Sequence, residues 1–268
     1  MQQTYTFDAF EENLKLNEIE RLTKNVDIHS KTISDIFLSH GLIHSSKVLD
    51  VGCGTGAMLH LFANMLPQTE FIGIDSSQDI LTSVQSEQMN NVTVLQAEAT
   101  RLPFEDNTFD FVYTRLVLMH NQHPEHIIQE MKRVCKPKGI IVCVDVDDET
   151  MIFYPFDEEF SELIRANVRF AKNNGTDRVI GRKLFSLYKS AGINDVKVIT
   201  DTSDFTGFYD EIPFPLRLAM GREQARHLVE AQLITEEQRM DFAEKVEIFC
   251  QDPNRFYTGS FIYCIGTK

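Results

Sequence analysis

Two acids and a run of glycines carry the first chemical signal in this chain. The stretch Lys47-Val-Leu-Asp-Val-Gly-Cys-Gly-Thr-Gly56 breaks an apolar strand into a turn in which Gly52, Gly54 and Gly56 lack the Cβ atoms that would block sharp turning and close backbone approach. Ala57, Leu59, Leu61, Phe62, Met65 and Leu66 then recur on one helical face, so the turn's amides are expected to point outward from a helix N-terminus. The spacing is G-x-G-x-G, not the dinucleotide pattern G-x-G-x-x-G, and Asp50 precedes the first glycine by two residues. A carboxylate there repels a pyrophosphate and favours a cation. Asp75 closes Glu70-Phe-Ile-Gly-Ile-Asp75, 25 residues beyond Asp50. At the tip of the second strand of a doubly wound sheet such an acid accepts both hydroxyls of a ribose. It could instead cap the next helix, as Ser76 or Ser77 could.

Further along, Phe109-Asp-Phe-Val-Tyr-Thr-Arg-Leu116 reads as a strand whose carboxyl end faces the ligand, which places Arg115 and the residues up to His120 near the reacting centre. Arg115 either orients a ligand carboxylate, pairs with Asp50, or makes a structural ion pair. His120 is a candidate general base, with a packed or loop-ordering histidine as the alternative. His120, His123 and His126 also suggest a metal site. Because residues three apart across a loop that enters a helix at Pro124 are not expected to share one face, no metal is assigned. Asp145, Asp147 and Asp148 follow the fifth apolar run, where acids hold a basic substrate, bind a metal, cap a helix or are simply solvated.

A cationic amino acid joined to a nucleoside without phosphate fits Asp50 and Asp75 together, and S-adenosylmethionine has that composition. Asp50-Val-Gly-Cys-Gly-Thr-Gly56 resembles the first motif of the class I S-adenosylmethionine-dependent methyltransferases, and Ala97-Glu-Ala-Thr-Arg-Leu-Pro-Phe104 resembles the family's next motif. The resemblance implies that Glu98 and the Ala99 amide flank the adenine, although the family more often has Asp at the position of Glu98. It assigns the cofactor to Asp50, Gly52, Cys53, Gly54, Gly56, Asp75, Ser76, Glu98, Ala99 and Arg115, and implies methyl transfer to an O, N or C nucleophile of a small molecule. A protein acceptor, a cofactor-binding protein without turnover and a nicotinamide-dependent oxidoreductase are the rival readings.

The elements that must position these residues alternate. Strands are expected at Lys47–Val51, Glu70–Asp75, Val92–Ala99, Phe109–Leu116, Ile140–Val146, Val196–Ile199 and Ser260–Gly266, with helices between them. That order predicts an α/β fold, a doubly wound seven-stranded Rossmann-like sheet in one domain over 1–268. Residues 1–46 form a cap of two helices in which Tyr5 and Arg21 are possible ligand contacts. Residues 47–205 and 257–268 form the core, and 206–256 a helical insertion whose Phe205, Phe208, Tyr209 and Phe214 could line a substrate pocket.

Composition narrows the class. A formal net charge of -14 opposes a nucleic-acid partner, because such affinity comes chiefly from Lys and Arg on phosphates. Five cysteines without a C-x-x-C pair suggest neither a disulfide framework nor a zinc knuckle. With an acidic N-terminal stretch and no long apolar run, a cytoplasmic protein without membrane contact is expected. A homodimer is compatible with this reading.

Overall fold

The computed structural model describes residues 7–9, 12–85, 89–204 and 225–268. Tyr5, Phe205, Phe208, Tyr209 and Phe214 lie outside the described residues. The chain divides into two compact units, one of residues 1–145, 183–199 and 263–268, the other of 146–182 and 200–262.

The first unit opens with a 3-10 turn, Phe7–Ala9, and helix α1, Glu12–Ser39. Two helices were expected here and one is found. No glycine or proline interrupts residues 12–39, so nothing in the backbone chemistry ends the helix before Gly41, whose φ is 107°. Val26, Ile33 and Phe37 form its buried stripe.

Strands β1 (Lys47–Val51), β2 (Glu70–Asp75), β3 (Val92–Gln96) and β4 (Phe109–Arg115) are parallel and lie in the order β3-β2-β1-β4. Their registers bring Asp50 beside Gly73 and Tyr113, and Asp75 beside Gln96. The chain crosses between them through α2 (Ala57–Met65) and α3 (Gln78–Gln85), and α4 (Pro124–Val134) follows β4. β5 (Cys135–Val146) pairs with β4, starting earlier than expected because Lys136-Pro-Lys-Gly139 extends the strand. Helix α6 (Leu184–Ser190) ends near Gly192, which has φ 66°. Phe37, Phe62, Phe111 and Tyr113 form one aromatic cluster under β1 and β4, with ring centroids of Phe37 and Phe62 5.2 Å apart. Removing one such ring costs about 3–5 kcal/mol.

In the second unit, Ile152–Tyr154, expected as an aromatic turn, is a short strand β6 that pairs antiparallel with the start of β8, Phe256–Thr267. β7 (Asn194–Asp204) also pairs with β8, which makes eight strands among the described residues where seven were expected. Helix α5 (Asp157–Asn173) and helix Glu236–Gln251 pack Phe160 and Phe249 against Phe153 and Tyr257. Thr235 and Gln238 close a capping box at the start of the latter helix. No helix among the described residues is long and apolar enough to cross a membrane.

Candidate functional site

The strand ends of the first unit gather the candidate residues, and the glycine turn between β1 and α2 sits at their centre. All three glycines have positive φ, 79° at Gly52, 52° at Gly54 and 72° at Gly56. They differ in what surrounds them. A Cβ on Gly52 would lie 2.4 Å from Val117 Cγ2, and one on Gly56 2.7 Å from Val84 Cγ1. At Gly54 the nearest atom would be Ile80 Cδ1 at 3.8 Å. Two of the glycines therefore admit neighbouring side chains of the protein itself, whereas at Gly54 a Cβ would meet Ile80 at an ordinary van der Waals distance.

The turn's amides also correct an expectation. They were to point outward from the helix N-terminus, but those of Gly52 and Cys53 both donate to the Ile74 carbonyl at 2.8 Å, and Gly56 donates to Cys53 O at 2.9 Å. The Gly54 amide donates to Asp75 Oδ2 at 2.9 Å. Donors spent inside the protein are not offered to a phosphate.

Asp75 is half-buried at the tip of β2. Besides Gly54 it accepts from the Ser77 amide, at 3.0 Å on Oδ1. Burial pushes its pKa up, the backbone amides of Ser77, Gly54 and Ser76 pull it down, and the nearby Asp8 carboxylate raises it. Ser77, not Ser76, caps α3, since its Oγ accepts from Ile80 N at 3.1 Å and donates to Asp8. The Ser76 carbonyl accepts from Gln96 Nε2 at 2.9 Å.

Asp50 lies beneath the turn and is 2% exposed. The Tyr113 hydroxyl donates to its Oδ2 at 2.9 Å. Burial drives its pKa up to about 7, the Tyr113 bond opposes this, Asp75 adds to it and Arg115 lowers it. Among the described residues neither Asp50 nor Asp75 forms an ion pair, and the Arg115 charge reaches Asp50 only through its field. Cys53 packs against Gly73, where a Cβ would come within 2.8 Å of its sulfur, and burial raises its thiol pKa well above the usual value.

Beyond β3, Glu98 is exposed and Ala99 buried. The loop that carries them is pinned to α4. Glu130 Oε2 accepts from Leu102 N at 2.8 Å, and Arg133 donates to the carbonyls of Leu102 and Phe104 at 2.9 and 2.8 Å. Arg115, at the end of β4, donates through Nη2 to Asn25 Oδ1 of α1 at 2.6 Å. The fields of Tyr263, Asp145 and Asp50 reach it. On the same helix His29 is buried, and burial followed by the Arg115 charge lowers its pKa to about 4. Arg21 forms a two-pronged pair with Glu18 at 2.6 Å. After Arg115 the backbone turns through Leu116 with φ 59°, a strained value for leucine, which seats Val117 over Gly52. His120 ends the short 3-10 turn Leu118–His120, half-buried, and the Met119 amide donates to Asp145 Oδ2 at 3.2 Å.

The histidine geometry also departs from expectation. Pro124 starts α4 in such a way that His123 and His126 stack, with ring centroids 5.3 Å apart. His120 is not part of that group. In the second unit, Asp148 is paired with Arg178 Nε at 2.6 Å and Asp147 with Arg182 Nη2 at 2.6 Å.

The residues invisible to sequence reasoning are Tyr113, Asn25, Glu130, Arg133 and Asp8, each of which acts on a partner far along the chain. Only Tyr113 left a trace, because a strand that alternates Phe109, Phe111 and Tyr113 toward one face places a hydroxyl beside Asp50.

A family profile described as "Methyltransferase domain" matches residues 43–197. An uncharacterized methyltransferase of Schizosaccharomyces pombe is 35% identical over 150 residues, which is 52% of this chain and 54% of that protein. A demethylmenaquinone methyltransferase of Bacillus cereus is 38% identical over 112 residues, 40% of this chain and 47% of that one. The chain thus spans about half the length of the curated relatives it matches. Among solved structures, the YcgJ protein of Bacillus subtilis has a TM-score of 0.60 at 20% identity, covering 90% of this chain and 99% of that one, a likeness of fold.

Proposed function

Because this chain belongs to the methyltransferase domain family, the class I enzymes whose methyl donor is S-adenosylmethionine, we propose that it methylates an O, N or C nucleophile of a small molecule. The observation that carries this reading is that Asp50 and Asp75 have no ion-pair partner among the described residues, beside a turn in which the amides of Gly52, Cys53, Gly54 and Gly56 are bonded within the protein. Such a site rejects phosphate and accepts a cation joined to a nucleoside. The bound cofactor supplies an electrophilic methyl group on a sulfonium.

This chain's own residues then divide the work. Asp75 holds the ribose hydroxyls with a carboxylate that the amides of Gly54 and Ser77 fix in place. Gly54 lets the backbone approach the ligand. Asp50 presents negative charge from below, with Tyr113 fixing its orientation. Cys53, Gly52 and Gly56 shape the turn, Ser76 follows the ribose acid, and Glu98 with the Ala99 amide borders the adenine. Arg115, steadied by Asn25, faces the amino-acid end. His120 takes the proton when the acceptor is a hydroxyl. Alignment of nucleophile and methyl in near-attack geometry supplies most of the rate.

The formal net charge of -14 opposes a nucleic-acid acceptor, and a small-molecule acceptor is supported by the name of the Bacillus cereus relative, a demethylmenaquinone methyltransferase. The buried free thiols of Cys53, Cys135, Cys143 and Cys264 support a reducing, cytoplasmic setting. A screen of small-molecule acceptors and basic peptides with methyl-labelled S-adenosylmethionine tests the proposal. Label transfer to a small molecule is the expected result. Transfer confined to peptides would overturn the acceptor class, and cofactor binding with no transfer to any acceptor would favour a protein without turnover.

A further inference from the structure

The cluster His123, Glu125 and His126 lies outside the cofactor machinery. His123 is the N-cap of α4, yet its side chain makes no capping bond. Pro124 at the first helical position turns the chain so that His126 returns beside His123, with the rings 24° from parallel. Glu125 Oε1 lies 3.1 Å from His123 Nδ1, and one ligand atom from each of the three residues falls within a common 4.8 Å. All three side chains are exposed.

We propose that His123, Glu125 and His126 form a binding site for a divalent late first-row transition ion of the zinc or nickel class. Metal–ligand bonds of about 2.0–2.1 Å set neighbouring ligand atoms about 3.0 Å apart in an octahedron and about 3.4 Å apart in a tetrahedron. The His123–Glu125 pair already has that spacing. His126 closes the remaining gap by rotating a side chain that is free to move in solvent. Two imidazoles and one carboxylate suit zinc, nickel or copper, whereas magnesium and calcium prefer all-oxygen sets. A formal net charge of -14 draws cations to the surface. Three protein ligands leave positions open to water or to another molecule. Because the turn carrying His120 leads directly into this helix start, a bound ion also ties down the end of that turn.

Calorimetric and thermal-melt titrations of the full chain with ZnCl2, NiCl2 and MgCl2 test the site, with wild type, H123A, H126A and H123A/H126A compared. The expected result is saturable binding of one zinc or nickel ion and a raised melting temperature, with affinity at least tenfold weaker in either single variant, lost in the double variant, and no response to magnesium. E125Q binds more weakly than wild type. Circular dichroism confirms that these surface variants fold. Identical zinc and nickel responses in wild type and H123A/H126A, or a magnesium response equal to that of zinc, would overturn the proposal. Its failure would leave the methyl-transfer reading unchanged.

Discussion

Two pairs of acids near strand ends meet opposite fates in this protein. Asp147 and Asp148, in the second unit, are each met by an arginine, Arg182 and Arg178 respectively, with further bonding from Arg182 to Glu149 at 3.0 Å. Among the described residues Asp50 and Asp75, in the first, are met by neutral donors, the Tyr113 hydroxyl and the amides of Gly54, Ser76 and Ser77. Their pKa values are raised by burial, and at Asp50 the Asp75 charge adds to the rise. The acids proposed to bind the ligand are the ones that have no ion-pair partner among the described residues. The same contrast runs through the glycine turn, where Gly52 and Gly56 are filled by Val117 and Val84 while Gly54 has room for a methyl group beside Ile80.

The largest effect is expected where a filled position is overfilled. Gly52→Ala forces a Cβ into Val117 and strains a left-handed backbone, lowering stability by about 3 kcal/mol in denaturant titrations. The paired variant G52A/V117A recovers part of that loss. Gly54→Ala, with room for its methyl and a milder φ of 52°, costs only about 1 kcal/mol of stability. Its cofactor affinity nevertheless falls at least tenfold. Equal stability losses at the two glycines would erase the distinction between them.

Acid behaviour tests Asp50 itself. Asp50, raised from 3.8 to about 7, takes a proton in the folded state before the unfolded chain does, so through it acidification from pH 7 toward 4 adds stability. His29, lowered from 6.5 to about 4, acts in reverse, and stability is lost as pH falls through that window because the unfolded state binds the proton first. The two oppose each other in the wild type. Asp50→Asn removes the first and exposes the second, so between pH 6.5 and 5 that variant loses about 2 kcal/mol more than wild type in chemical denaturation. Parallel pH profiles for the two proteins would count against the buried, raised carboxylate.

A smaller change is expected from Asp148→Asn, which leaves Arg178 without its carboxylate in a partly exposed pair and costs about 1–2 kcal/mol of stability. Cofactor affinity should not change. The mildest is His120→Ala, which lowers turnover with a hydroxyl acceptor about tenfold or more while leaving cofactor affinity intact, as measured by the labelled-methyl assay.

Much of the sheet was legible because its strands are short apolar runs ending on acids or glycines. The tip at Asp75 falls where the patterning puts it, and the fourth strand ends at Arg115, one residue before the expected Leu116. What was not legible depends on partners distant in sequence. Val117 over Gly52 and Asn25 against Arg115 are contacts made by the folded chain, with no local pattern to announce them, and Tyr113 under Asp50 is hinted at only by the alternation of its strand. The glycines show this most clearly, since G-x-G-x-G reads as a cradle for a ligand and two of its three glycines serve the packing of the protein itself. The histidines erred in the other direction. The loop spacing suggested separation, whereas a proline-started helix folds His126 back onto His123.

The central claim, that the strand-end acid Asp75 recognises the nucleoside of the cofactor, is tested most directly by calorimetric titration of S-adenosylmethionine into wild type, Asp75→Asn and Asp148→Asn. The wild type and Asp148→Asn should bind with the same affinity, and Asp75→Asn about 100-fold more weakly, the loss of charge-assisted bonds to two hydroxyls. Undiminished binding by a folded Asp75→Asn would contradict the account.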